Sequence, residues 1–137
     1  MTTRIQYRET RDIDLADVLA LYRANGWSSA DKPQELHRAL VNSHTLVTAW
    51  DDEQLVGLGN AISDGSLVVY YPHLLVLPDH RGFGIGREIV QRLGKKYAGF
   101  HQQILVADFD AVEFYKKCGF VPAGQTEAMW IYDGTEH

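Results

Sequence analysis

The stretch LLVLPDHRGFGIGREIVQRL, residues 74–93, carries the clearest structural signal in the sequence. An apolar run ends at Pro78, and three glycines at alternate positions, Gly82, Gly84 and Gly86, lead into a helical pattern. Glycine inside a helix costs about 1 kcal/mol relative to alanine, so its use here needs a reason. The N–H groups at a helix start are unpaired and carry partial positive charge, and glycines there let a phosphate approach them closely.

Two familiar phosphate-binding patterns do not fit these glycines. The dinucleotide pattern G-x-G-x-x-G requires a glycine where the chain has Arg87, and G-x-x-x-x-G-K-[ST] does not occur in the sequence. What remains is R-x-x-G-x-G, formed by Arg81, Gly84 and Gly86 after a strand and at the start of a helix. Taken alone, this pattern leaves two interpretations open: a phosphate-binding turn, or a tight strand-to-helix turn without a ligand.

The rest of the chain predicts alternating strands and helices. The long apolar run of residues 66–77 contains Pro72, which cannot donate a hydrogen bond to a sheet, so a bulge or break is expected there. In the helix predicted at residues 110–120, Asp110 and Glu113 have capping-box spacing and Gly119 suits a left-handed C-terminal cap. Further strands are predicted at residues 4–9, 45–50, 54–62, 102–109, 126–133 and, in short form, 120–121; further helices at 14–26, 32–43 and 84–97.

Length and composition limit the classes of function. The chain has 137 residues, which predicts one domain over residues 1–137. The net charge of −5 argues against general nucleic-acid binding. The single cysteine, Cys118, excludes an internal disulfide and fits a reducing compartment. No apolar run approaches the roughly 20 residues of a membrane span, and the histidines lack metal-ligand spacing. We therefore expect a cytoplasmic protein with no metal, no nucleic-acid partner and no membrane partner.

Two motifs together resemble the GNAT superfamily of N-acetyltransferases. The first is the family's acetyl-coenzyme A motif, Arg or Gln followed by x-x-G-x-G or x-x-G-x-A, preceded by a strand ending V-x-P, as at residues 76–86. The second is an aromatic–tyrosine pair before GF, present as AVEFYKKCGF at residues 111–120. The resemblance covers essentially the whole chain. It implies an α/β (α+β) fold with a central mixed, mostly antiparallel sheet, helices on both faces and a splayed strand pair.

The resemblance also implies acetyl-coenzyme A as co-substrate and assigns residues to it. The turn of residues 81–86, called the glycine turn below, would hold the pyrophosphate, and the backbone of the preceding strand would hold the pantetheine arm. Asp108 stands where the family commonly has asparagine; an aspartate cannot donate an amide N–H, so its contact with the arm is an open question. The residues expected to bind the coenzyme are Leu75, Val76, Leu77, Arg81, Gly82, Phe83, Gly84, Ile85, Gly86, Arg87 and Asp108.

The chemistry implied by the resemblance is direct attack of an amine on the thioester. Tyr115 matches the family tyrosine that protonates the departing thiolate. His73 follows the predicted break at Pro72 and can relay the amine proton, or it can serve polar packing. Asp64 can hold a cationic amine or be an ordinary turn aspartate, and Trp27 can line an acceptor pocket or be a core residue. Cys118 is expected to be a passive thiol.

These residues indicate an N-acetyltransferase acting on a small-molecule amine. One alternative is a noncatalytic acyl-coenzyme A sensor that keeps the fold, against which Tyr115 argues. Another is an interaction module on the same fold, for which a strongly basic face or tail would be the sign. A homodimer is compatible with any of these interpretations. The identity of the acceptor cannot be read from the sequence.

Overall fold

The computed structural model describes residues 4–135, and within them strands and helices alternate as an α/β fold. Each predicted helix is present, with ends within a few residues of those expected from the sequence. The strands are β1 (Ile5–Glu9), β2 (Thr45–Asp51), β3 (Gln54–Ser63), β4 (Val68–Tyr70), β5 (Leu74–Val76) and β6 (Gln102–Ile104); the helices are α1 (Leu15–Ala24), α2 (Pro33–Val41), α3 (Ile85–Lys96) and α4 (Val112–Lys117).

A mixed sheet in the order β1-β2-β3-β4-β6 forms the centre of the fold, and β5 pairs with β3 off this path. The pairs β1–β2, β2–β3, β3–β4 and β3–β5 are antiparallel, whereas β4–β6 is parallel. The hairpin between β2 and β3 turns at Asp52, which adopts a left-handed φ of 54°. The predicted sheet, mixed and mostly antiparallel, is thus confirmed.

Helices cover both faces of this sheet because its strands are apolar on both sides. Helices α1 and α2 pack Leu21, Leu36 and Leu40 against one face in a single core cluster. Helix α3 packs Ile85, Ile89 and Leu93 against the other face in a second cluster. The sheet therefore lies between two hydrophobic layers, as the sequence predicts.

Pro72 interrupts what is otherwise one long strand, as expected from its missing N–H. The chain before it, β4, pairs with the end of β3 and with β6. The chain after it, β5, pairs with Gly57–Gly59 of β3 but not with β6. Strands β4 and β6 run together up to Tyr70 and Ile104, and beyond this point β5 and β6 separate. The predicted splayed pair is present, and it opens the sheet beside α3 and α4.

The C-terminal part departs from the prediction. No strand forms over residues 126–133 or 120–121 within the described chain, and β6 spans three residues in place of the predicted eight. Met129, Trp130 and Ile131 are 91%, 66% and 105% exposed. A strand needs a neighbour for its N–H and C=O groups, and this segment has none of the described strands beside it.

The predicted capping box at the fourth helix is also wrong. Helix α4 begins after Ala111 rather than at Asp110, and no side chain caps it. A 3-10 turn at Phe109–Ala111 precedes the helix and displaces its start, and Glu113 instead pairs with Lys116 at 3.3 Å. Gly119 does adopt the predicted left-handed conformation, with φ 101°. None of the helices within residues 4–135 has the length and apolar character needed to cross a bilayer.

Candidate functional site

The glycine turn presents unpaired backbone N–H groups at the start of α3. Gly82 and Gly84 have φ values of 86° and 84°, a conformation that side chains other than glycine rarely adopt. The first hydrogen bond of the helix runs from the Glu88 N–H to the Gly84 carbonyl at 3.0 Å. The N–H groups of the three residues between them, 85–87, therefore have no partner inside the helix. Together with the helix dipole, they form a site suited to a phosphate.

Contacts on two sides fix this turn in place. His80, just before it, binds the Asp51 carboxylate at the end of β2 at 3.1 Å through Nε2. Arg81 donates from its guanidinium to the Asn25 side-chain oxygen at the end of α1. A β-carbon on Gly86 would stand 3.3 Å from the Phe114 ring, so the helix start packs closely against α4. The N–H groups are thereby oriented before any ligand arrives.

The backbone of β5 supplies a second polar surface beside the glycine turn. The Leu77 N–H donates to the Val56 carbonyl at 2.8 Å, and the His73 carbonyl accepts from Asn60 at 3.2 Å, so both residues face β3. Because alternate residues of a strand face opposite edges, the N–H and C=O groups of Leu74 and Val76 face away from β3. That edge borders the gap left where β6 diverges. Of the three strand residues predicted to hold the pantetheine arm, Val76 has the backbone orientation that this contact needs.

A cleft occupies the gap between the separated strands. It has a free volume of about 20 Å³, enough for about one water molecule. The two side chains predicted to be catalytic, His73 and Tyr115, both belong to it. The side chains lining it are Tyr71, His73, Leu74, Val90, Leu93, Leu105, Tyr115 and Phe120.

Tyr115 lies on α4, with its ring edge-on to those of Phe114 and Phe120 at centroid distances of 5.1 and 6.0 Å. Burial raises the pKa of its hydroxyl to about 12, with smaller contributions from Cys118 and the Asp108 carboxylate. The hydroxyl is therefore protonated at neutral pH and available as a hydrogen-bond donor. Asp108, which precedes the 3-10 turn at Phe109–Ala111, lies close enough to Tyr115 for its charge to act on it.

His73 lies in the break between β4 and β5 and contacts both β3 and α1. Its backbone N–H donates to the Asn60 side-chain oxygen at 3.0 Å, and the amide of Asn60 donates to the Ser43 hydroxyl at 3.0 Å. Its Nδ1 lies 2.8 Å from the Tyr22 hydroxyl. Trp27 approaches the imidazole edge-on, with ring centroids 5.2 Å apart. The structure thus places Trp27, a predicted acceptor-site residue, beside His73.

Comparison with known proteins identifies the family. The sequence profile of the acetyltransferase (GNAT) domain matches residues 13–130, most of the chain. The chain belongs to the GNAT family of acetyltransferases. It is 27% identical over 135 residues to the uncharacterized N-acetyltransferase ycf52 of Pyropia yezoensis, covering 92% of this chain and 76% of that protein. A GNAT-family acetyltransferase from Streptococcus pneumoniae superposes with a TM-score of 0.83 at 29% identity, over 94% of this chain and 98% of that one.

A more distant GNAT structure shares the fold. The aminoglycoside N-acetyltransferase AAC(6')-Iy, solved in complex with CoA, superposes with a TM-score of 0.69 at 17% identity. The match covers 97% of this chain and 96% of that one. At this identity the likeness establishes the fold alone. The turn and the separated strands of this chain therefore belong to a GNAT fold.

Two further side chains considered in the sequence lie apart from the chemistry of the cleft. One oxygen of the Asp64 carboxylate accepts from the backbone N–H groups of Ser66 and Leu67, both at 2.8 Å, and these bonds lower the pKa of Asp64. These hydrogen bonds favour the interpretation of Asp64 as an ordinary turn aspartate. Contact between Asp64 and a cationic amine stays a prediction. Burial raises the pKa of the Cys118 thiol, which the charge of Arg87 offsets only in part, so the thiol is protonated. Within residues 4–135, no group of three or more His, Cys, Asp or Glu side chains is arranged for a metal ion.

Sequence reasoning missed two residues that shape this GNAT site, Tyr22 and Asn60. Tyr22 fits the apolar face of α1 and is fully buried, so its pattern alone indicates a core residue. Asn60 is the stronger signal, because it is a polar residue within the apolar run QLVGLGNAI. A buried amide requires hydrogen-bond partners, which could have directed attention to the break beside it.

Proposed function

We propose that this GNAT chain transfers the acetyl group of acetyl-coenzyme A to the primary amine of a small molecule. The observation that supports this proposal most strongly is that three features lie next to one another. They are the N–H groups of residues 85–87, which have no partner inside the helix, the outward edge of β5, and the cleft lined by Tyr115. The first suits a pyrophosphate, the second suits an extended amide-bearing arm, and the third would place Tyr115 beside the end of that arm. Gly82 and Gly84 have nothing within 4 Å of where a β-carbon would stand, which leaves room for phosphates against the backbone.

In the proposed reaction the amine nitrogen bonds to the acetyl carbon as the carbon–sulfur bond breaks. The sulfur leaves with the bonding electrons and takes the proton of the Tyr115 hydroxyl, which solvent then replaces. Since burial keeps Tyr115 protonated at neutral pH, the donor is in the required state throughout the normal range. The attacking nitrogen loses its proton to water or to His73.

A small-molecule acceptor is supported by the shape and charge of the site. The cleft is narrow, and Trp27 offers an aromatic surface beside His73. The acidic chain favours cationic molecules over polyanions. The aminoglycoside acetyltransferase of the same fold is named for a small-molecule amine, which makes that class the first to test.

The proposal is tested by a panel of amines assayed for acetyl-coenzyme A-dependent thiol release. Polyamines, aminoglycosides, arylalkylamines, amino acids and peptide N-termini form the panel. We expect at least one small amine to be acetylated, and for that activity to fall in the Tyr115→Phe variant. Tight binding of acetyl-coenzyme A by calorimetry, with no turnover on any amine, would favour the noncatalytic sensor.

We further propose that the protein is a homodimer in which the C-terminal segment, residues 126–133, pairs with a second copy. Consecutive side chains Met129, Trp130 and Ile131 are apolar and exposed, so both faces of the segment require cover. Within residues 4–135, strand β6 ends the sheet order and has no strand on its outer side. Beside it lies a groove of about 330 Å³ between α3, β6 and residues 118–121. Each copy thus carries both an exposed apolar segment with strand composition and a sheet edge on which such a segment can pair.

The exposed apolar side chains that such a dimer would bury are Val121, Met129, Trp130 and Ile131. Light scattering after gel filtration should show a wild-type dimer and an Ile131→Asp monomer, while Leu67→Asp, at another exposed aliphatic side chain, stays dimeric. A monomeric wild type at micromolar concentration would refute this assembly.

A further inference from the structure

The Tyr22 hydroxyl and the His73 imidazole form a hydrogen bond whose direction depends on where the imidazole carries its proton. The Tyr22 hydroxyl lies 2.8 Å from Nδ1 of His73, and the Tyr22 side chain is fully buried. Burial raises the pKa of Tyr22 above its ordinary value of 10.0, so the hydroxyl is protonated at neutral pH. One partner of this hydrogen bond is thus a neutral phenol.

The direction of the bond follows from the donors and acceptors that each group has. A neutral imidazole carries one N–H and one lone pair, and a phenol can donate one hydrogen. If Nδ1 carried the hydrogen and donated it to Tyr22, the buried phenol would need a second acceptor for its own hydrogen. Among residues 4–135, His73 is the hydrogen-bond partner of the Tyr22 hydroxyl. A buried donor without an acceptor is costly, so Tyr22 donates and Nδ1 accepts.

The surroundings hold the ring in this arrangement. The His73 backbone is bound on both sides by Asn60, through its side-chain oxygen at 3.0 Å and its backbone N–H at 3.2 Å. The rings of Tyr22 and Trp27 approach the imidazole edge-on at 5.4 and 5.2 Å. A ring flip would exchange Nδ1 for a carbon atom opposite Tyr22 and lose the hydrogen bond. The orientation is therefore imposed by three different elements of the fold.

We propose that Tyr22 is a positioning residue that holds neutral His73 with its proton on Nε2, so that His73 acts as a hydrogen-bond donor and not as the base. This inference rests on the proposed function for its catalytic meaning, but the protonation form of His73 can be measured without it. With Nδ1 occupied by the Tyr22 hydrogen and Nε2 already protonated, the neutral ring has no lone pair for the amine proton. Water then removes that proton, and His73 orients an acceptor atom of the substrate.

The described titratable groups that share the cleft with His73 are two tyrosines. Tyr71 and Tyr115 line the cleft with His73, and burial raises the pKa of both, so both are uncharged at neutral pH. The Asp108 carboxylate acts on Tyr115 from the α4 side. The side chains that contact His73 from α1 and β3, Tyr22 and Asn60, are both uncharged.

The direct test is the protonation form of His73 in the full-length protein. Long-range proton–nitrogen NMR correlations of histidine-labelled protein at pH 7.5 should show a pyridine-type Nδ1 and a pyrrole-type Nε2, with His73→Gln identifying the signals. In Tyr22→Phe, which keeps the ring and removes the donor, the signals should shift toward a mixture of both forms. Tyr71→Phe is the matched control, because its hydroxyl binds Gln103 rather than His73. Its His73 signals should match the wild type.

A kinetic test separates the donor from the base once an acceptor is known. Glutamine can donate a hydrogen bond but cannot take a proton, so His73→Gln should keep the wild-type pH profile of kcat. Its kcat should fall far less than the roughly 10²–10⁴-fold that is typical when a general base is lost. His73→Ala should be the slower of the two. A base role would instead slow both variants equally and remove a pH step from both.

Either of two results overturns the inference. One is a wild-type His73 with its proton on Nδ1, which reverses the hydrogen bond with Tyr22. The other is an unchanged protonation form in Tyr22→Phe. Both are measured without substrate, so failure to find an acceptor amine would count against the proposed function and leave this result standing. Thermal unfolding checks that Tyr22→Phe is folded, and the wild-type spectrum decides the first point even if it is not.

Discussion

Gly84 offers a test of the glycine turn in which the backbone strain and the ligand contact can be separated. It caps α3 with φ 84°, and nothing lies within 4 Å of where its β-carbon would stand. Gly84→Ala therefore creates no clash and acts through conformation alone. A left-handed alanine costs about 1–2 kcal/mol, which lowers the melting temperature of a chain this size by roughly 3–10 °C.

The effect on the ligand adds to that strain. If the turn relaxes toward negative φ, it redirects the N–H groups at the start of α3 away from the phosphate. Losing one hydrogen bond to a charged group costs about 1.5–3 kcal/mol, so CoA affinity should fall about 10- to 150-fold. Calorimetric titration of CoA into the folded variant measures this loss.

Gly99→Ala is the matched control for this experiment. Gly99 has φ 88° and the same open surroundings, but it lies after the other end of α3. It should show the same loss of melting temperature and bind CoA as the wild type does. If both variants lose affinity equally, or if Gly84→Ala keeps it, the turn does not hold the phosphates and its glycines serve the chain path alone.

Other measurements address α4. Tyr115→Phe should lower kcat roughly tenfold to a thousandfold with CoA affinity little changed, because the hydroxyl acts mainly in the transition state; a wild-type rate where chemistry limits turnover would contradict this. Because burial raises the pKa of Tyr115 to about 12, the absorbance of its phenolate should appear near that pH. The stability gained from burying the neutral ring is present below pH 10 and lost as the pH rises through 12. Ionisation of Tyr115 near pH 10 would contradict its burial. In Gly86→Ala, the new methyl group meets the Phe114 ring at 3.3 Å, and that ring packs on Tyr115. We therefore expect kcat to fall more than CoA affinity. The double variant Gly86→Ala/Phe114→Leu should recover kcat.

Local chemistry explains why much of the fold and the glycine turn could be predicted from the sequence. Pro72 lacks the N–H that a continuous strand needs, so a break was expected wherever the fold placed that run. The glycine spacing and the strand before it indicated a phosphate-binding helix start. Both conclusions depend on residues adjacent in the chain; the break between β4 and β5 and the start of α3 after the glycines are confirmed, whereas phosphate binding stays a prediction.

The interior of the site depends on contacts between distant residues and could not be predicted in the same way. Tyr22 and His73 are 51 residues apart, and Asn60 and Ser43 are 17 apart. A tyrosine on an apolar helix face has the same pattern whether its hydroxyl meets a histidine or not. Whether the Tyr22 hydroxyl meets His73 depends on how α1 is positioned against the break after β4. That position is set only when the sheet and the helices on both of its faces pack together.

In the C-terminal segment, the local sequence pattern predicts a strand clearly, yet the single chain does not form that strand. Residues 126–133 have the composition of a strand, yet they form none within residues 4–135, because strand formation requires backbone hydrogen bonds from a neighbouring strand. The strand composition and the exposure are reconciled if the neighbour is another copy, because the outer edge of β6, which no strand within residues 4–135 covers, can then pair with this segment of the second copy. On this argument, the strand predicted from the sequence forms on dimerisation, and the Ile131→Asp monomer should lose β-sheet signal by circular dichroism while the Leu67→Asp dimer keeps it.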